Sequence, residues 1–115
     1  MTYTIMSKDT PILLITKTNP VTITSKVLNP LDAFLRIKLD KLLPDKISIK
    51  NFENFLESRC PNKSREDLDY ILKWLKLRSY NPYWICRKTH AVSMSDFIWI
   101  KYEDEDITYD DVRLR

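Results

Sequence analysis

Hydrophobic and polar positions divide the start of the chain into three short stretches, residues 2–6, 11–16 and 21–27. They are rich in Ile, Val, Thr and Tyr, which favour strands, and residues typical of turns separate them. Residues 12–15 are continuously apolar, which indicates the more buried strand. Residues 21–24 alternate between apolar and hydroxyl side chains, which predicts a strand with one face in solvent. The pattern therefore predicts an antiparallel meander.

Helical spacing of apolar residues replaces this pattern further along the chain. One helix is predicted to follow Ser48 and to end near Arg59. A second is predicted to begin at Ser64, because Ser64 and Asp67 form a capping-box pattern. Residues 31–39 fit either a short helix or an extended segment. The apolar face of the second helix comprises Leu68, Ile71, Leu72 and Leu75.

The C-terminal half contains one aromatic-rich apolar run, residues 93–100, which opens on two serines and Asp96. We interpret the hydroxyls as caps of a helix or turn and the aromatic residues as part of the core. Residues 83–90 are compatible with a short helix packed under the sheet. The whole pattern predicts an α+β fold, with a small N-terminal antiparallel sheet followed by a packed helical region. Residues 1–115 have the length of a single domain.

The absence of glycine narrows the possible functions. It excludes glycine-built phosphate loops and dinucleotide fingerprints, and turns must use Asn, Asp, Ser and Pro. Ser93, Ser95 and His90 suggest a hydrolase, but the glycines of a nucleophile elbow are missing. The paired carboxylates have no acid–base partner in the sequence pattern. We therefore predict a protein that is not an enzyme and uses no cofactor.

The chain has two cysteines, Cys60 and Cys86, and one histidine, His90. These three cannot complete a usual zinc set, so no metal site is predicted. We expect both thiols to be reduced in a cytoplasmic protein. The N-terminus does not have the pattern of a secretion signal, and no apolar run has the length of a membrane span. The sequence therefore predicts a soluble protein with no membrane partner.

The formal net charge is +3, and residues 91–115 reverse its sign with three Lys/Arg against seven Asp/Glu. This balance favours a mixed solvated surface over a strongly basic nucleic-acid module. Trp74, Trp84 and Trp99 could instead form a base-stacking platform beside arginines. The aromatic residues alternate with apolar residues rather than basic ones, so core packing is the favoured interpretation.

Five short segments of the chain resemble segments of a known family and occur in the same order: residues 6–13, 27–30, 58–65, 93–100 and 108–112. They resemble the N-terminal, non-catalytic region of HipA-like serine/threonine kinases of the Firmicutes type. The first two resemble its opening strand and its V-x-N-P junction. The third is similar to its S-R-x-x-P-x-S-R segment, and the fourth to its S-L-S-D-x-Y-W-I signature. The fifth resembles the piece that follows.

The chain departs from that family in two places. Ala91 and Val92 stand where the family has a glycine, and Ile98 stands where it has an aromatic residue. The phosphate-binding, catalytic and metal-binding residues of the kinases have no counterpart in the chain. The resemblance therefore implies a stand-alone copy of a non-catalytic subdomain.

In function, the resemblance implies a bacterial toxin–antitoxin role, as an antitoxin or regulatory subunit that binds a separately encoded HipA-like kinase core. The alternative is a phage or mobile-element protein that binds a nucleic acid or a host defence complex. Ser64, Ser95 and Asp96 are expected mainly to hold the fold. The residues predicted to bind the protein partner are Arg59, Arg65, Ser93, Ser95, Asp96 and Trp99.

Overall fold

The computed structural model describes residues 1–113, which form an α+β fold as predicted. A four-stranded antiparallel sheet has the strand order β3-β2-β1-β4. The strands are β1 (Thr2–Ser7), β2 (Thr10–Asn19), β3 (Thr22–Val27) and β4 (Ile98–Tyr102). The helices in this part of the chain are α1 (Ala33–Leu39), α2 (Ile49–Ser58), α3 (Leu68–Trp74), α4 (Pro82–Thr89) and α5 (Tyr109–Val112), and a 3-10 turn spans Asp40–Leu42.

The first three strands form the predicted meander, in which β2 pairs with both β1 and β3. Ile12, Leu13 and Ile15 of β2 are buried, as their continuous apolar run indicates. The strand β3 lies at one edge of the sheet and has no buried residue. Its alternating pattern therefore marks an edge strand that contributes little to the core.

The other edge of the sheet is β4, which the sequence did not predict. This strand pairs antiparallel with β1, so that Lys101 lies opposite Thr4 and Trp99 opposite Met6. The residues before it form a turn, so of the two alternatives for Ser93 and Ser95 the turn is confirmed and the helix cap is not. The prediction that the aromatic residues of that run pack in the core is confirmed for Trp99, which is fully buried, but is wrong for Phe97, which is 52% exposed.

The core lies between one face of the sheet and helices α1, α2 and α4. Residues at alternate positions of three strands point into it, as the two-residue period of a strand requires. No helix within residues 1–113 has the length and apolar character needed to cross a bilayer. The main side chains in the core are Ile5, Leu13, Ile15, Leu35, Leu39, Phe52, Leu56 and Ile100.

Local caps explain where three helices begin. Ser48 Oγ accepts a hydrogen bond from Asn51 N at 3.0 Å, which starts α2 as predicted. Asp32 accepts one from Leu35 N at 2.9 Å, which decides the ambiguous segment in favour of helix α1. The Asn81 side chain accepts from the backbone N–H of the second residue of α4, so residues 83–90 are largely helical.

The capping box predicted at Ser64 is wrong. Ser64 Oγ donates instead to Asn62 Oδ1 at 2.8 Å, and Asp67 accepts a hydrogen bond from Arg65 at 2.6 Å. Both side chains are therefore engaged in a local turn, and α3 begins only at Leu68. A box does form at Thr108, whose backbone N–H donates to Asp111 Oδ2 at 2.7 Å.

Four residues within the described chain take a positive φ without being glycine: Lys8, Lys76, His90 and Ala91. Lys8, with φ of 52°, lies in the β1–β2 turn, where its N–H donates to Phe97 O at 3.0 Å. Lys8 O accepts a hydrogen bond from Trp99 Nε1 at 2.6 Å. Contacts from β4 and the residue before it therefore hold this turn in a conformation that glycine usually supplies.

Lys76 ends α3 in the left-handed conformation, with φ of 62°. Leu77 N donates to Leu72 O at 2.8 Å and Lys76 N to Lys73 O at 3.0 Å, which are the two hydrogen bonds of a Schellman motif. Glycine is favoured at the position of Lys76, because a Cβ atom is strained there. Lys73 is also exposed but lies inside the helix.

We expect Lys76→Gly to raise the free energy of unfolding by about 1 kcal/mol, because it removes that strain. Lys73→Gly, the matched control, is expected to lower it by about 1 kcal/mol, the usual cost of glycine inside a helix. Urea denaturation of both variants measures the two changes. Equal losses of stability in both would contradict the assignment.

Candidate functional site

A buried ion pair joins two of the residues predicted from the sequence, Arg59 and Asp96. Arg59 Nη1 donates to Asp96 Oδ2 at 2.7 Å and Nη2 donates to Oδ1 at 2.8 Å, so the contact is bidentate. The side chain of Asp96 is fully buried and that of Arg59 nearly so. Lys38 of α1 lies 3.6 Å from the same carboxylate. Planar bidentate contact is the geometry in which arginine binds a carboxylate most strongly.

The same guanidinium also binds the backbone around β4. Arg59 Nε donates to Ala91 O and Nη2 to Ile98 O, both at 2.7 Å. The Asp96 carboxylate accepts a further hydrogen bond from Ile98 N at 3.0 Å. Ala91 has φ of 56°, a left-handed conformation that glycine adopts more readily than alanine. Arg59 therefore holds a strained backbone turn as well as a charge.

These contacts also cover the outer edge of β4. Ile100 N donates to His90 O at 2.8 Å, and Tyr102 N donates to Glu105 Oε1 at 3.0 Å. Together with Arg59 on Ile98 O, they occupy polar groups that would otherwise be available to another strand. These three contacts cover one edge of the sheet, and Arg59 of the ion pair makes one of them.

The pKa of the Asp96 carboxyl is set by two opposing effects. Burial raises it, but hydrogen bonds and charge attraction from Arg59 outweigh burial and hold the pKa below its usual value of 3.8. Because this pKa is lower in the folded than in the unfolded chain, ionised Asp96 stabilises the fold at every pH above the pKa of the unfolded chain. This contribution disappears as the pH falls through the folded pKa.

We expect Asp96→Asn to destabilise the domain by about 3–5 kcal/mol at neutral pH, because it leaves the Arg59 charge buried without a partner. The free energy of unfolding of the variant is also expected to fall less between pH 7 and pH 3 than that of the parent chain, because an asparagine at this position does not take up a proton in acid. Denaturant unfolding at pH 7 and near pH 3 measures both effects.

Asp67→Asn is the control, because Asp67 pairs with Arg65 at the exposed surface. Such pairs contribute less than about 1 kcal/mol, so this variant is expected to unfold like the parent chain. Equal stability of the Asp96 and Asp67 variants at pH 7 would refute the role given to the buried pair.

The other predicted binding residues lie in different surroundings. Trp99 is fully buried, whereas Arg65 is exposed. Ser93 Oγ accepts from Ser95 N at 3.2 Å and lies 2.9 Å from Ser95 Oγ, which gives a turn. Arg59, Arg65 and Ser93 line one surface hollow of about 400 Å³. Asp96 and Trp99 can influence a partner only through the fold that they stabilise.

Two exposed aromatic residues on α3 were not anticipated as surface residues. Tyr70 and Trp74 are four positions apart, so they lie on the same face of the helix. They are 73% and 76% exposed, respectively. We call them the α3 aromatic pair. The sequence contained a signal for them, because the apolar set from Leu68 to Leu75 leaves both positions on the opposite face.

A second aromatic surface is a groove of about 510 Å³ beside α4, the tyrosine groove. Cations already lie over two of its rings: Lys17 Nζ is 4.4 Å from the ring centroid of Tyr83, and Arg87 Cζ is 4.3 Å from that of Tyr102. Burial raises the pKa of Tyr83 to about 12, so its hydroxyl is protonated at neutral pH. The groove is lined by Met1, Tyr3, Asn81, Tyr83, Trp84, Arg87 and Tyr102.

The prediction that all three tryptophans pack in the core is correct for Trp99 alone. Trp74 and Trp84 are largely exposed. No group of three or more possible metal-binding side chains occurs in the part of the chain that the structure describes.

Comparison with known proteins returned no relative of this chain. No family model matches it, and neither does any curated protein or solved structure. The resemblance to HipA-like kinases therefore depends on the five short segments alone.

Proposed function

We propose that this chain is a non-catalytic protein-binding domain that acts as an antitoxin or regulatory subunit of a HipA-like kinase. The observation that carries the binding role is the exposure of the α3 aromatic pair. Tryptophan and tyrosine supply a large share of the binding energy at protein interfaces. Binding of a partner that removes such an apolar surface from water lowers the free energy of the complex.

The position of the pair within α3 supports this proposal. Leu72, on the same short helix, is buried. The side chains of Tyr70 and Trp74 accordingly project from a structured element rather than from a loose tail. A partner that binds a structured surface loses less conformational entropy than one that must order it.

The choice of a HipA-like kinase as the partner comes from the resemblance. Residues 58–65 and 93–100, two of the segments that carry it, meet through the Arg59–Asp96 ion pair. Because the two segments share this contact, they form one structural unit, which supports the view that they resemble the family together and not by chance. The α3 aromatic pair lies in the chain between these two segments.

The proposal is tested by titrating the full chain into a HipA-like kinase core that lacks its own N-terminal region. We expect Trp74→Ala to weaken binding by about 2 kcal/mol, about thirtyfold in Kd, because an interface hot spot is removed. Tyr70→Ala is expected to act in the same direction. Calorimetry gives the affinities, and circular dichroism verifies that the variants remain folded.

Val21→Ala is the matched control, because Val21 is 83% exposed and lies next to β3, outside α3. It is expected to bind like the parent chain. Undiminished binding by the Tyr70/Trp74 double variant would refute the assigned surface. Absence of kinase binding together with salt-dependent binding to RNA or DNA would refute the proposed function.

A further inference from the structure

The two cysteines of the chain come together although they are 26 residues apart. Cys60 lies in the bend after α2, and Cys86 lies within α4. Their sulfur atoms are 3.8 Å apart, and both are free thiols. Both also lie within hydrogen-bonding distance of Leu56 O, at 3.2 Å and 3.4 Å. The contact between α2 and α4 thus contains a thiol pair.

The two thiols differ in their access to solvent. Cys86 is fully buried in the core, whereas Cys60 is partly exposed. Cys60 lines two surface hollows, of about 290 Å³ and about 400 Å³. A molecule as small as hydrogen peroxide can therefore reach Cys60 from either hollow, while Cys86 lies behind it.

The two thiols also differ in acidity. The hydrogen bond with Cys86 lowers the pKa of Cys60, although burial and the nearby Glu57 act in the opposite direction. The same hydrogen bond and burial raise the pKa of Cys86. Since the thiolate is the reactive form, the accessible cysteine is also the more nucleophilic of the two.

We propose that Cys60 is a site of oxidation by hydroperoxides, and that Cys86 converts the product into an intramolecular disulfide bond. The proposal does not depend on the α3 aromatic pair, although the hollow of about 400 Å³ beside Cys60 is also lined by Arg59, Arg65 and Ser93. The geometry supports an intramolecular reaction, because the second thiol is already in contact with the first.

The reaction takes place in two balanced steps. The Cys60 thiol loses its proton and the thiolate attacks one oxygen of hydrogen peroxide. An S–O bond forms, the O–O bond breaks, and the departing hydroxide takes up that proton to give water. Cys86 Sγ then attacks the sulfenic acid sulfur of Cys60. The S–S bond forms, the S–O bond breaks, and the hydroxyl leaves with the Cys86 proton as a second water. The two thiols lose two electrons in total and the peroxide gains them.

The sulfur atoms must come closer by roughly 1.8 Å, from the observed 3.8 Å to the disulfide length of about 2.05 Å. Cys60 lies outside the helix α2, which ends at Ser58. Its side chain can accordingly turn towards Cys86 while α2 stays in place. The bond would close a loop that contains α3 and would fix the end of α2 to α4.

The test begins with the reduced full chain and about one equivalent of hydrogen peroxide. We expect the intact mass to fall by two hydrogen atoms, both free thiols to disappear, and a peptide containing linked Cys60 and Cys86 to be recovered. The product is expected to remain monomeric in size-exclusion chromatography, to melt at a higher temperature than the reduced chain, and to return to it with dithiothreitol.

Two variants separate the roles of the thiols. In Cys86→Ala, Cys60 is expected to stop at the sulfenic acid, which dimedone traps as an adduct. In Cys60→Ala, the buried Cys86 is expected to react at least about tenfold more slowly with peroxide. Circular dichroism verifies the fold of each variant. Rapid quenching of the parent chain with dimedone, which traps the sulfenic acid, shows without a substitution whether Cys60 is oxidised first.

Three results would overturn the proposal. The first is oxidation of Cys60 in the parent chain to a sulfinic acid with Cys86 still reduced. The second is a disulfide-linked dimer in place of the intramolecular bond. The third is thiol loss in the parent chain as slow as in Cys60→Ala.

Discussion

A guanidinium buried against a single carboxylate joins parts of this domain that lie far apart along the chain. Arg59 comes from the end of α2 and Asp96 from the turn before β4. Because each charge would be costly to bury alone, the helix and the turn must form together or not at all. The carbonyl contacts of Arg59 extend this dependence to the edge strand of the sheet.

The elements predicted correctly are those whose signals are local. The three N-terminal strands follow from β-branched residues and intervening turns, and α2 follows from Ser48 and its apolar spacing. The capping box at Ser64 was predicted by the same logic but was wrong, because Asn62 captures the serine hydroxyl in a turn. Competition between two local hydrogen bonds depends on geometry that a sequence pattern does not contain.

The features that the sequence could not indicate are those that depend on distant partners. The pairing of β4 with β1 joins residues almost a whole chain length apart, so no local pattern reports it. Arg59 and Asp96 were selected individually, but their mutual contact came only from the fold. Trp99 and Trp74 both lie in sequence segments rich in apolar residues, yet Trp99 is buried and Trp74 is exposed to solvent. A tryptophan has a strong tendency to be buried, but its position on a helix face decides the outcome.

The turn at Lys8 has a consequence for how the chain folds. A hairpin with glycine in its turn can close by itself, whereas the Lys8 turn is held by Phe97 and Trp99. Closing it therefore requires a contact between sequence positions about ninety residues apart, and such non-local contacts slow folding. The N-terminal hairpin is accordingly not an independent folding nucleus. We expect its amide protons to exchange with solvent only in openings that also release β4, so that the hairpin and β4 behave as one cooperative unit.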